Sequence, residues 1–187
     1  MRVIAGSAKG IRLAPVPEGT RPLADRAREG LFSSLGPAVP CARVLDLFAG
    51  TGATGIEALS RGAEHTVFVD ASAAAVRTVQ ENLRRTGFGA RATVLRRDAS
   101  RAVWSLPGSF GLVFMDPPYA HPAREVERLL AAVDAGGLVE AGGLVVLTRS
   151  DRSYIPVIPI HWLPDRRLSY GDAFISVFQV TDPETTG

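Results

Sequence analysis

A chain of 187 residues, 46% of them hydrophobic, can bury one full sheet with its flanking helices and is short for two domains. It has no apolar run near the roughly 20 residues of a membrane span, opens without a basic-then-apolar leader, and carries one cysteine, Cys41, which excludes an internal disulfide and a cysteine-based zinc site; a reducing, cytoplasmic setting is expected. The net charge is only +2, yet residues 1–30 hold Arg2, Lys9, Arg12, Arg21, Arg26 and Arg28 against Glu18, Asp25 and Glu29, a basic front that suits a polyanionic partner.

Residues 2–5 and 11–13 flank a glycine-bounded turn at 6–10 and predict a small hairpin whose basic side chains project from the body. The stretch 15–22 is proline-rich punctuation. From 24 to 35, Ala27, Leu31 and Leu35 recur at helical spacing with Arg26 and Glu29 outside, and Gly36-Pro37 ends the helix. Strands at 44–48, 66–69, 92–95, 112–115 and 144–147 then alternate with helices at 52–61, 73–85, 99–104 and 123–132. Such alternation implies a parallel sheet with helices on both faces, an α/β architecture. Residues 166–170 and 173–180 around Gly171-Asp172 close the chain as an antiparallel hairpin. The expected organisation is an arm at 1–22, a sheet domain at 23–181 and a flexible tail at 182–187.

The first of these strands runs into Asp46-Leu47-Phe48-Ala49-Gly50-Thr51-Gly52, and a helix containing Gly55 follows. Glycines let the backbone turn sharply and approach a ligand closely. The run matches Gly-x-Gly-x-x-Gly, with Asp70 ending the next strand, which invites a dinucleotide. A dinucleotide would rest its pyrophosphate at the helix N-terminus, however, and Asp46 sets negative charge there. A zwitterionic sulfonium cofactor fits better: its ammonium can meet Asp46, its ribose hydroxyls Asp70, and its adenine amine Asp98. Three acids at three successive strand ends point to S-adenosylmethionine, held by Asp46, Phe48, Ala49, Gly50, Thr51, Gly52, Asp70, Ala71, Asp98 and Ala99, with Asp116 beside them. Taken singly, Asp70 and Asp98 would equally serve as helix caps.

The apolar run 111–115 closes on Asp116-Pro117-Pro118-Tyr119. A buried parallel strand must stop there, which sets Asp116 at the carboxyl edge where open α/β sheets bind ligands. Each proline holds the residue before it extended, so the Asp116 carboxylate and the Pro117 carbonyl can face one point. Two fixed acceptors suit an exocyclic amine, and Tyr119 offers a face for the attached ring to stack on. Asp-Pro is also a common turn opener, so alone the motif would be an ordinary turn. His65, His121 and His161 are expected at surface or capping positions, and no metal-ligand cluster is visible.

Together these pieces resemble a class I S-adenosylmethionine-dependent methyltransferase, and more closely the RsmD-like family of bacterial 16S rRNA guanine-N2 methyltransferases. The likeness rests on Arg2-Val3-Ile4-Ala5-Gly6 with Lys9-Gly10, on Arg21-Pro22 with Asp25-Arg26-Ala27-Arg28-Glu29, on the loop and helix at 46–63, on Asp116 to Tyr119, and on Tyr170-Gly171-Asp172. Leu23 and Ala24 stand where the family usually has threonine, so no hydroxyl contact to the cofactor carries over there. The resemblance implies a Rossmann-like sheet and a guanine in small-subunit rRNA as substrate, met on a largely assembled subunit by a monomeric enzyme. Asp116, Pro117 and Tyr119 would hold the flipped base. Arg2, Lys9, Arg12, Arg26, Arg28 and Tyr170 would contact the RNA, with the helix at 24–35 acting as a lid over the cofactor. A DNA adenine-N6 enzyme would need a target-recognition insert, a small-molecule enzyme a covering domain, and a non-catalytic RNA-binding module would be expected to have lost Asp116 or the glycines.

Overall fold

Val44, Leu45 and Leu47 are wholly buried, as a strand covered on both faces requires, and they form the middle of the sheet. The computed structural model describes residues 1–15, 23–118, 120–150 and 154–182. Most of the 15–22 stretch, Tyr119 and tail residues 183–187 lie outside them. The elements are α1 (Asp25–Leu35), β1 (Arg43–Leu47), α2 (Ala53–Ser60), β2 (His65–Asp70), α3 (Ala73–Thr86), β3 (Ala92–Arg96), α4 (Ala99–Ala102), β4 (Phe110–Met115), α5 (Ala123–Ala135), β5 (Val139–Arg149), β6 (Trp162–Tyr170) and β7 (Ala173–Val180).

They build one seven-stranded sheet in the order β3-β2-β1-β4-β5-β7-β6. Strands β1 to β5 pair in parallel, while β7 runs antiparallel to both β5 and β6. The strand order reverses between β1 and β4, which opens a crevice at their carboxyl ends. One face is covered by α1, whose Ala27, Leu31, Phe32 and Leu35 pack on β4, β5 and β7, and by α2 and α3 over β2. The other face carries α4 and α5. Strand β6 begins at Trp162, earlier than the expected 166, because Pro164 is tolerated at a sheet edge and the register shifts between Pro164 and Arg166. Strand β5 likewise extends well beyond the expected 144–147.

The N-terminal residues do form a hairpin-like loop: Val3 N–H donates to the Ile11 carbonyl at 3.0 Å and Gly10 N–H to the Val3 carbonyl at 2.9 Å. They do not project. Val3, Ala8 and Leu13 are buried in the cluster that holds Ile56, Leu59 and Phe68. The wholly buried Glu57 of α2 accepts from Ile4 N–H at 2.8 Å and Ala5 N–H at 3.0 Å, and Ser60 Oγ accepts from Ala8 N–H at 3.0 Å. Farther along, Ala14 N–H reaches the buried Asn82 Oδ1 at 2.7 Å, and Asn82 Nδ2 donates to the Thr51 carbonyl at 2.8 Å. The apolar residues of the segment, interleaved with Arg2, Lys9 and Arg12, are its reason for docking: left exposed, they would forfeit their burial energy.

Arg28 completes the attachment. Its side chain is buried, with Nη2 donating to the Arg2 carbonyl at 2.5 Å and to Asp25 Oδ1 at 3.0 Å, and Nε 3.8 Å from Glu57 Oε2. Arg61 Nε meets the other Glu57 oxygen at 2.8 Å. A buried cation of this kind is held by its partners and has no surface to offer a nucleic acid, so the expected RNA contact at Arg28 is replaced by a structural one. Helix α1 is likewise a packed layer of the sheet, with Phe32 stacked 5.6 Å from Phe114, and does not lie over the crevice as a lid.

Candidate active site

A cavity of about 620 Å³ sits at the carboxyl edge over the β1/β4 crevice. Its walls contain Asp46, Asp70, Asp98 and Asp116, and among the described residues neither lysine nor arginine lines it. Of the residues expected to hold a cofactor, Phe48, Ala49, Gly50, Thr51, Ala71 and Ala99 also line it, whereas Gly52 does not and packs against Val79 and Phe68. Pro117 is in the wall, together with Leu23, Pro118 and His121. His121, expected at a surface or capping position, is half-buried and packs edge-on against Phe48 at 5.6 Å.

The loop after β1 is shaped by backbone geometry. Phe48 adopts φ 65°, a left-handed conformation that costs an L-residue about 1–2 kcal/mol, and so leaves the strand one residue earlier than the periodicity suggests. Gly52 follows at φ 74° and starts α2, with no side chain of its own to cap it. A Cβ on Gly55 would lie 2.4 Å from the Phe68 ring, so the third glycine serves close packing of helix on strand.

The acids are held differently, and the difference decides what each can do. Asp46 is buried, and its Oδ2 accepts from Gly55 N–H at 3.0 Å, capping the first turn of α2. Burial raises its pKa from 3.8 to about 7; the Gly55 hydrogen bond opposes this, and repulsion from Asp116 and Asp70 adds to it. Asp116 is raised to about 7 as well, by burial, with Arg149 pulling the other way. Among the described residues its carboxylate has no hydrogen-bond partner. Asp70 is more open: Oδ2 accepts from Gly50 N–H and Oδ1 from Ser72 N–H, both at 2.8 Å, so it ties the glycine loop to the head of α3 and keeps its second lone pairs for a ligand. Asp98 caps α4 through Ser100 and Arg101 N–H, and its hydrogen bond from Ser100 lowers its pKa. Asp98 is thus at once a helix cap and part of the cavity wall.

Two desolvated carboxyl groups facing one cavity with no nearby cation in its walls favour a positively charged ligand. That fits a sulfonium with an ammonium group and excludes a pyrophosphate resting on Asp46. The open Asp70 fits ribose hydroxyls. Among the described residues no group of histidine, cysteine and acidic side chains could hold a metal ion.

The expected RNA contacts lie elsewhere. Arg2, Lys9 and Arg12 are exposed on the docked N-terminal segment and Arg26 on α1. Tyr170 packs its hydroxyl into the space a Cβ on Gly30 of α1 would fill. It belongs to the core fringe, although the β6–β7 turn does stand at the same sheet edge as Asp116, because Arg149 of β5 pairs with Phe174. Sequence reasoning passed over Asn82 and Arg149 and gave Glu57 no role beyond its place in the helix at 46–63. The signal available for Glu57 was an acid within an apolar helix face, which demands buried partners.

This strand order, the glycine loop at its switch point and the acid-lined cavity define a Rossmann-like class I methyltransferase fold. The chain belongs to the family described as Conserved hypothetical protein 95, which matches residues 1–179 and is the RsmD family. It is 32% identical over 181 residues to "Ribosomal RNA small subunit methyltransferase D" of Escherichia coli (strain K12), covering 96% of this chain and 89% of that one. The solved structure of yhhF from Escherichia coli superposes with a TM-score of 0.86 at 31% identity, covering 97% of this chain and 98% of the other. A hypothetical protein of Thermus thermophilus gives 0.79 at 35% identity, covering 97% and 99%.

Proposed function

We propose that this protein transfers a methyl group from S-adenosylmethionine to the exocyclic N2 amine of a guanine in 16S rRNA. The observation that carries the reading is the buried Asp46 and the half-buried Asp116, both desolvated enough to raise their pKa values, at one switch-point cavity. The relative named for small-subunit rRNA methylation supports the RNA substrate. The cofactor, when bound, supplies an electrophilic methyl group. Asp46 would hold its ammonium, Asp70 its ribose and Asp98 its adenine amine. Asp116 and the Pro117 carbonyl accept the two N–H bonds of the target amine. That draws the nitrogen lone pair out of conjugation and aims it at the methyl group, so rate comes from positioning and charge placement without a strong base. The nitrogen becomes cationic on transfer and loses its proton to Asp116 or water. Tyr119 stacks on the extruded base. Arg2, Lys9, Arg12 and Arg26 contact RNA phosphates, the first three through the segment 1–22. The substrate is a largely assembled small subunit, and the enzyme works as a cytoplasmic monomer. No helix among the described residues is long and apolar enough to cross a membrane.

The test is tritium transfer from S-adenosylmethionine to small subunits, free rRNA and DNA in parallel, followed by nucleoside analysis. Label in N2-methylguanine of 16S rRNA is expected. Label confined to N6-methyladenine, or none with any substrate, refutes the reading.

A further inference from the structure

Arg149 is the last residue of β5; it does not line the cavity itself but bonds to His121, which does. Parallel pairing sets Met115 against Leu147, so Pro117 and Arg149 are each two residues past that pair on adjacent strands. Two contacts fix the guanidinium there. Its Nη2 donates to the His121 carbonyl at 2.9 Å, which closes the turn that begins at Asp116. Its Cζ lies 5.5 Å from the centre of the Tyr154 ring. Its Nε and Nη1 are buried and have no hydrogen-bond partner among the described residues. A cation with two buried, idle donors is costly and calls for a reason.

The charged and titratable groups facing Asp116 are Asp46 on β1, Asp70 on β2, Asp98 after β3, His121 in its own loop and Arg149 on β5. Asp46 and Asp116 repel one another, so the pair disfavours carrying two negative charges. Arg149 acts on Asp116 in the opposite sense, yet no ion pair within 4 Å joins them among the described residues. A direct salt bridge would occupy the oxygens that an amine must use. We propose that Arg149 is a positioning residue for methyl transfer: it ties down the turn carrying Pro117 and Pro118 and supports the charged form of Asp116 from behind, leaving both carboxylate oxygens free for the substrate.

This rests on the amine-binding role proposed for Asp116. Sign and direction follow from the carboxylate being the active form. Its pKa is raised, so activity is lost as pH falls through about 7, and removing Arg149 moves that loss to higher pH. The experiment is single-turnover methylation of small subunits by the cofactor-loaded enzyme between pH 6 and 9, for wild type, Arg149→Gln and Arg149→Lys, with cofactor affinity and thermal melting measured on each. Arg149→Gln should lose about tenfold in rate at pH 6.5 and recover to within about threefold at pH 9, since a shift of one pH unit in an acid limb is tenfold in rate. Arg149→Lys should keep the wild-type acid limb, and it tests the idea even where the glutamine variant folds poorly. A loss equal at every pH, or a lysine variant whose acid limb moves upward, overturns the proposal in favour of a merely structural arginine. Wild-type enzyme that leaves small subunits unlabelled overturns the functional reading itself, an outcome distinct from labelling with an unmoved limb in Arg149→Gln.

Discussion

Asp46→Asn should make the ligand-free protein more stable and a worse cofactor binder. Asparagine keeps an acceptor for Gly55 N–H, so the cap on α2 survives while the buried charge is removed. In wild type the folded-state pKa of Asp46 is about 7 against 3.8. The folded form therefore holds its proton more tightly than the unfolded form. Its stabilising effect is full below about pH 4 and is lost as pH rises toward 7. At about 1.4 kcal/mol per pH unit the whole effect reaches about 4 kcal/mol. Repulsion from Asp116 supplies part of it, so about 2–4 kcal/mol is the expected gain for the variant at pH 8. Urea unfolding of both proteins without cofactor, at several pH values from 4.5 to 8, measures the gap, which should widen as pH rises. Calorimetry at pH 8 should show S-adenosylmethionine bound more weakly to the variant by about 1.5–3 kcal/mol, the worth of a charged hydrogen bond. Stability curves that run parallel across the whole pH range would mean that Asp46 carries no buried charge in want of a cation, and the case for a sulfonium zwitterion would go with it.

Asp116→Ala should lower the single-turnover methylation rate roughly a hundredfold, about 3 kcal/mol, with far less effect on subunit affinity; an unchanged rate in a folded, cofactor-binding variant would remove Asp116 from the amine site. Replacing Lys9 and Arg12 together should weaken subunit binding and flatten its salt dependence while cofactor affinity stays constant, and an unaltered salt slope in a filter-binding assay would return both to plain surface. Arg28→Ala leaves Glu57 buried without its Arg28 partner and should cost about 3–5 kcal/mol in urea unfolding, whereas an RNA-contact role alone predicts no change in stability.

Much of the fold was legible because its strands are apolar runs buried on both faces, whose ends are marked by acids, glycines and prolines. Asp46, Asp70, Asp98 and Asp116 could be assigned to one edge for that reason: each closes or follows a parallel strand, and parallel strands share an edge. Local periodicity carries no information about which exposed-looking polar residue will be captured by a distant partner. Arg28 follows Asp25 at helical spacing and reads as a solvated ion pair; its burial is decided by Glu57, far along the chain. Arg149 was invisible for a similar reason, since its neighbours Asp116 and His121 belong to another strand and its loop. Tyr170 matched a motif, yet the small Gly30 beneath it supplied a packing site no pattern in the hairpin announced.

The docking of the N-terminal segment also has a consequence in time. Residues 1–14 leave the ribosome before their partners Glu57, Ser60 and Asn82, which follow 52 to 68 positions later. At a synthesis rate of about 5–20 residues per second, the segment waits on the order of several seconds before its binding surface exists. Its apolar residues are split by Gly6, Ser7, Lys9, Gly10 and Arg12, so it offers no continuous sticky strand while it waits. The segment is therefore fully fastened only after α2 and α3 have emerged and packed, and a nascent chain that stops short of Asn82 lacks the bond that holds Ala14.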